Sequence, residues 1–276
     1  MRNNIKTKIP FRNDILGLRG WAILLVIIYH FFPTILPRGY LGVDIFFVIS
    51  GFLITSIFFT SKYYSYSEFI KKRIIRLVPS ILITIFFCII ISLVIFLPFD
   101  LKNFSNSIIY SLILVPNFYF LLNGGYFGGI NELKPLLHFW SLGIEIQFYI
   151  TYPLLLILIK NRFKSYFLPL ILLITIISFL LNFFIISHDK INFFMLPNRI
   201  WQFCFGSIIF FLLKINYNSK YNDYLNFLLI SLIILIVLLD FNFSNFLLKL
   251  IICTLVSLII FLDKIPIIII FYLIIN

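Results

Sequence analysis

Acidic side chains are scarce in this sequence. Asp and Glu number 10 among 276 residues, and charged residues of every kind make up 12%, about half the share of a soluble domain. That shortage excludes an ordinary soluble fold with a charged surface. Cysteine is sparser still. Cys88, Cys204 and Cys253 each sit in an apolar run with no partner at metal-binding or redox spacing, so they read as small buried hydrophobes. The pattern holds no metal-ligating cluster and no glycine-rich nucleotide loop, and no metal is expected. No small-residue cleavage site follows the first apolar run, which therefore reads as a retained span rather than a signal peptide.

Apolar residues fill the space. The sequence is 62% hydrophobic and 20% aromatic, with a mean hydropathy of +1.10. Runs such as SILITIFFCIIISLVIFL reach or approach bilayer-spanning length. The expected fold class is all-α, a polytopic transmembrane helix bundle of about 8–10 membrane segments. Residues 1–276 are expected to form a single integral-membrane domain. Candidate spans are 15–32, 40–59, 77–97, 138–159, 166–187, 198–213, 224–240 and 246–262, with a short ninth starting at Pro266.

The net charge of +12 does not point to nucleic acid, because the basic residues mark the faces of a membrane protein. With the N-terminus in the cytoplasm, Arg2, Lys6, Lys8 and Arg12 fall inside, as do Lys62, Lys71, Lys72, Arg73 and Arg76. Lys160, Arg162, Lys164, Lys214, Lys220 and Lys264 follow only if 104–122 makes no net crossing. The outer connections then keep only Arg38, Lys102, Lys134 and Lys190, as the positive-inside rule requires. The segment 104–122, weakened by Pro116, Asn117 and serines, is therefore expected to dip in or lie along the outer interface and to line a cavity.

Ionisable residues inside apolar spans are functional-site candidates. Arg19 and His30 are eleven residues apart in the first span. At about 100° per residue they face nearly the same way, separated by about 16 Å along the axis. The competing reading is a snorkelling arginine and an interfacial histidine. Asp44 opens the second span within possible reach of His30, where a carboxylate would orient the ring; otherwise it is an interfacial helix-start residue. Gly39, Gly42 and Gly51 would allow close helix packing. In HFWSLGIEIQFYITYP, His138 and Glu145 share a helical face with Ser141 between them. They form either a site or a structural polar knot. Arg199 is a natural partner for such a carboxylate, or an interface anchor beside Trp201. Arg73 and Arg76, at i and i+3 next to Lys71 and Lys72, are expected on one face of a helix entering the membrane, a fork that suits a phosphate group or lipid headgroups.

Taken together, six stretches resemble the acyltransferase 3 family: LRGWAILLVIIYHFF, GYLGVDIFFVISGFLI, FIKKRIIRLVPS, VPNFYF with GGYFG, LLHFWSLGIEIQFYITYPLL and PNRIWQFCFGSIIF. The resemblance covers roughly residues 12–215 in order. It implies a bacterial inner-membrane, multi-pass enzyme that acylates, usually acetylates, a hydroxyl of an O-antigen, exopolysaccharide or peptidoglycan type of glycan. The implied donor is acyl-coenzyme A, most commonly acetyl-coenzyme A. The implied partners are membrane lipids and a polysaccharide or lipid-linked sugar acceptor. By resemblance Arg19 and His30 match an arginine–ten residues–histidine signature, Arg73 and Arg76 a cytoplasmic R-x-x-R, His138, Trp140, Ser141 and Glu145 an H-x-W-S-L-x-x-E stretch, and Arg199 a later R-x-W-E-like motif.

In the mechanism this implies, Lys72, Arg73 and Arg76 hold the coenzyme A phosphates, Arg19 stabilises a polar conduit, and His30 is the base. Asp44 or Glu145 orients the imidazole, Arg199 or Ser141 stabilises the oxyanion, and a covalent acyl-His or acyl-Ser relay is equally compatible. Ile146 and Gln202 depart from the family pattern, where acidic residues are frequent. The family's late stretch and last spans are not found, so the sequence is expected to be C-terminally truncated. The rival readings are a flippase-like carrier of polar or lipid-linked sugars and an inactive remnant.

Overall fold

The computed structural model describes residues 12–60, 65–128, 131–162, 166–184, 189–213, 222–239 and 243–262. Among them the chain forms eleven α-helices: α1 (Asn13–Phe31), α2 (Gly42–Thr60), α3 (Tyr66–Ile95), α4 (Pro98–Leu112), α5 (Pro116–Leu122), α6 (Phe139–Arg162), α7 (Phe167–Phe184), α8 (Asp189–Phe194), α9 (Leu196–Leu212), α10 (Asn222–Leu238) and α11 (Asn245–Phe261). Every expected span within these residues is helical. Four have the length and apolarity to cross a bilayer: α1, α2 with the 3₁₀ turn before it, α3 and α6. α7, α10 and α11 are shorter apolar helices. The stretch from Pro266 lies outside the described residues, as do Arg2, Lys6, Lys8, Lys62, Lys164, Lys214, Lys220 and Lys264.

The helices group into two compact units, a division that hydropathy alone does not reveal. One takes Met1–Lys62, Ser165–Thr175 and Gln202–Asn276, the other Tyr63–Lys164 and Ile176–Trp201. In the first, α2 is the central rod, with 78% of its span buried against 22% for α1. Helix α1 buries one face only, Ile15, Leu18, Ala22 and Leu25, at the i, i+3, i+7 spacing of an amphipathic stripe. The two helices approach closely because Gly42 has no side chain. A Cβ there would sit 2.4 Å from the Ala22 carbonyl oxygen. Helix α11 packs on α2 as well. Its first turn is capped by Ser244, whose hydroxyl accepts from the Leu247 N–H at 3.3 Å.

In the second unit α3 runs 30 residues, about 45 Å. It starts at Tyr66, ahead of the apolar span expected from 77, so Arg73 and Arg76 lie on a helix entering the membrane, as expected from their spacing. The cationic cluster therefore lies on the helix itself. Only 17% of this span is buried, and Ile75, Ile83 and Val94 point outward, as lipid-facing residues do. Pro98 ends the rise and takes the first-turn position of α4. The 104–122 segment is two helices, not one. Leu114 adopts a left-handed φ of 64° and Pro116 starts α5, which packs on α4. At 15 and 7 residues, neither is long enough to cross alone.

Candidate active site

In the first unit the candidates sit on α1 and α2. Helix α1 is unbroken from Arg19 to His30, so the two side chains keep their alignment, about 20° apart around the axis, on a flank of the buried stripe. The Arg19 guanidinium lies over the Phe46 ring of α2, 5.4 Å from its centroid. His30 is exposed, and its Nδ1 lies 2.7 Å from the Val26 carbonyl oxygen one turn back. A carbonyl only accepts, so Nδ1 carries the proton and donates. In the neutral ring the lone pair is then on Nε2, the tautomer a general base needs.

Asp44 is 2% exposed and accepts a hydrogen bond from Gln202 Nε2 at 2.6 Å. A buried carboxylate needs donors, and Gln202, itself fully buried, supplies one from α9. The substitution Gln202→Leu is expected to lower the thermal stability of the detergent-solubilised protein by about 1–3 kcal/mol, the cost of a buried polar group losing its partner. An unchanged melting curve would mean that this bond contributes nothing.

In the second unit the cationic and acidic candidates are joined by an aromatic residue. The Arg73 guanidinium stacks on Phe69 and Tyr149, 5.1 and 4.9 Å from their centroids. The Tyr149 hydroxyl donates to Glu145, one helical turn back on α6. Glu145 thereby fixes the ring that positions Arg73. A small apolar hollow of about 70 Å³, walled by Leu77, Ile146 and Tyr149, opens beside that arginine. Arg76 is exposed, and Lys72 forms an exposed i, i+4 pair with Glu68 at 3.0 Å.

At the start of α6, His138 is exposed, and its Nδ1 meets the Tyr126 hydroxyl at 2.8 Å. Ser141 Oγ donates to the His138 carbonyl at 3.2 Å, which ties it to the first turn of the helix rather than to an imidazole nitrogen. Arg199 is 2% exposed. Its guanidinium lies 4.9 Å from the Phe193 centroid and 5.5 Å from that of Trp140, and its Nε donates to the Phe193 carbonyl at 3.2 Å.

The segment expected to line a cavity does so. A cavity of about 390 Å³ lies against α4, α5 and the Leu133–Lys134 turn. Lys134 Nζ donates to the carbonyls of Gly125, at 2.6 Å, and Gly128. Burial pushes its pKa below the usual lysine range. Among the described residues, no group of three His, Cys, Asp or Glu side chains is placed to hold a metal ion.

Sequence reasoning gave Tyr126 and Tyr149 no site role and counted Lys134 only among the outer basic residues. The i, i+4 spacing from Glu145 was a signal for Tyr149. Nothing local announces the other two.

A family model described as an acyltransferase domain matches residues 12–275. The O-acetyltransferase OatA of Staphylococcus aureus is 39% identical over 154 residues, which is 54% of this chain and 25% of that protein. The peptidoglycan O-acetyltransferase OatA of Listeria monocytogenes is 38% identical over 154 residues, with the same coverage of 54% and 25%. The chain thus spans about a quarter of the length of these relatives. No solved structure matches it.

Proposed function

The chain belongs to the acyltransferase 3 family, and from that premise we propose that it transfers an acyl group, most commonly acetyl, from cytoplasmic acyl-coenzyme A to a hydroxyl of an extracytoplasmic glycan. The observation that carries the proposal is the unbroken α1, with a cation toward one end and, toward the other, an imidazole whose Nδ1 proton is committed to Val26. The name of the Listeria relative makes peptidoglycan the first acceptor class to try. In the proposed orientation the N-terminus and the basic first turns of α3 face the cytoplasm of a bacterial inner membrane.

Each unit takes its part of the reaction. In the first, His30 Nε2 accepts the proton of the sugar hydroxyl as its oxygen attacks the thioester carbonyl. The C–S bond of the resulting adduct breaks, the ester forms, and the coenzyme A sulfur leaves with the proton from His30. Arg19 stabilises the polar path along α1, and Asp44 positions this end of the unit. In the second, Arg73, Arg76 and Lys72 hold the coenzyme A phosphates, with Arg73 oriented through Tyr149 and Glu145. Arg199 and His138 are the further polar residues we assign to this reaction, while Ser141 serves the first turn of α6.

Membranes containing the chain, given labelled acetyl-coenzyme A and peptidoglycan strands, are expected to release free thiol and to label the glycan. No thiol release above that of membranes lacking the chain overturns the proposal. The double substitution Arg73→Ala with Arg76→Ala is expected to raise the acetyl-coenzyme A KM about tenfold or more, from the loss of charge-assisted bonds to phosphate. An unchanged KM places the donor site elsewhere.

A further inference from the structure

We infer that the cavity against α4 and α5 is a subsite for one neutral pyranose ring of the acceptor. The inference rests on the transfer reaction proposed above for the identity of that acceptor, but the recognition chemistry is the cavity's own. Its volume, about 390 Å³, falls within the range of small-molecule sites and far exceeds what an ion needs.

The wall supplied by α4 is one helical face. Asp100, Asn103, Phe104 and Ser107 follow the i, i+3, i+4, i+7 spacing. The turn at Leu114 brings α5 against that face, where the Tyr119 hydroxyl donates to the Asn103 carbonyl at 2.7 Å. Most donors around the cavity are already committed to backbone carbonyls. Ser107 donates to Phe104 at 2.6 Å, Asn123 Nδ2 to Tyr119 at 2.9 Å, and Lys134 to Gly125 and Gly128. Acceptors remain in excess. Among the described residues, the Asp100 carboxylate and the Asn103 side-chain amide have no hydrogen-bond partner, and the Asn123 carbonyl oxygen adds a further lone pair. A site rich in acceptors calls for a ligand rich in donors, as adjacent sugar hydroxyls are.

Charge and shape narrow the choice. The Lys134 ammonium in the same lining offsets the Asp100 carboxylate, which disfavours a free cation, while the carboxylate disfavours an anion. Phe99, Tyr119 and Phe120 add aromatic surface for the C–H face of a pyranose. The position also fits. The cavity begins just past the C-terminal end of α3, about 30–35 Å along the helix from its basic residues Lys71 to Arg76. Lys134 connects it to the second unit's candidates, since the two carbonyls it holds flank Tyr126, and Tyr126 meets His138.

The test uses the full chain in nanodiscs, with chitotriose as the probe and no acyl-coenzyme A present. Calorimetric titration is expected to detect binding to the unsubstituted chain. Asp100→Ala with Asn103→Ala is expected to weaken that binding about tenfold or more, because bonds to a carboxylate are among the stronger ones. Phe99→Ala, at a side chain 74% exposed, removes aromatic surface without disturbing the fold and is expected to weaken binding severalfold. It decides the matter if the double variant does not reach the membrane. In the transfer assay the same variants are expected to raise the acceptor KM while the acetyl-coenzyme A KM holds. No chitotriose binding by the unsubstituted chain, or equal binding by the variants, overturns the subsite. Binding that the variants lose, in a chain that releases no thiol, keeps the sugar site and overturns the transfer reaction instead.

Discussion

Replacing His30 by alanine is expected to reduce glycan acylation by about 10²–10⁴-fold, the contribution of general-base help at a single side chain. Two features make the loss readable as chemistry. First, His30 is exposed at the end of α1, and its ring meets Tyr29 edge-on at 5.1 Å rather than filling a core position, so truncation leaves the α1–α2 packing in place. Second, the Val26 carbonyl fixes the tautomer, and this contact is made within one turn of the same helix. A glutamine at the same position can still hydrogen-bond but cannot take up a proton, so His30→Gln is expected to be as inactive as His30→Ala. The measurement is label transfer from acetyl-coenzyme A to peptidoglycan at matched amounts of membrane-inserted protein. Activity of the alanine variant within a few fold of the unsubstituted chain removes His30 from the chemistry.

Much of the architecture was legible in the sequence because bilayer-length apolar runs leave few options. The Arg19–His30 alignment needed only that α1 stay continuous, and it does. What stayed open has separate physical causes. The apolar run from 77 gave only the membrane span of α3, because Glu68, Lys71, Lys72, Arg73 and Arg76 lower the apolar average; that Arg73 and Arg76 lie on a helix entering the membrane was legible from their i, i+3 spacing. Pro116 marked 104–122 as an interrupted segment, but where it divides turned on the left-handed backbone at Leu114, a conformation a leucine seldom adopts. Partners were harder still. The Gln202 amide that Asp44 accepts from is 158 residues away in sequence, and only the assembled helices bring the two together. Tyr149 was within reach, one turn from Glu145, but its use by Arg73 depends on how α3 packs on α6.

Gly51→Val is expected to be the most damaging substitution in the first unit, costing at least about 3 kcal/mol and depleting the chain from membranes. Here α2 and α9 cross almost backbone to backbone. A Cβ on Gly51 would lie 1.8 Å from the Phe203 carbonyl oxygen, and one on Gly206 would lie 1.9 Å from that of Val48. Both obstacles are backbone atoms, which no side-chain rotation can move aside. Small residues complete the crossing, with Thr55 Oγ1 donating to Ser207 Oγ at 2.9 Å and Phe47 stacked on Phe203 at 4.5 Å. The same crossing sets the Asp44–Gln202 bond, so helix spacing and the candidate site in this unit depend on the same two glycines. Gly51→Ala and Gly206→Ala are each expected to lower the melting temperature in detergent. Combined, they should cost less than the sum of the two, because one displacement of α9 relieves both clashes. Gly20, where an added Cβ meets no atom within 4 Å, supplies the control: Gly20→Ala should leave the melting temperature unchanged or slightly raised, since alanine favours helix. Equal tolerance of alanine at Gly20 and Gly51 would show that α2 and α9 are spaced more widely than this crossing requires, and the buried carboxylate–amide pair would then lose its geometric basis.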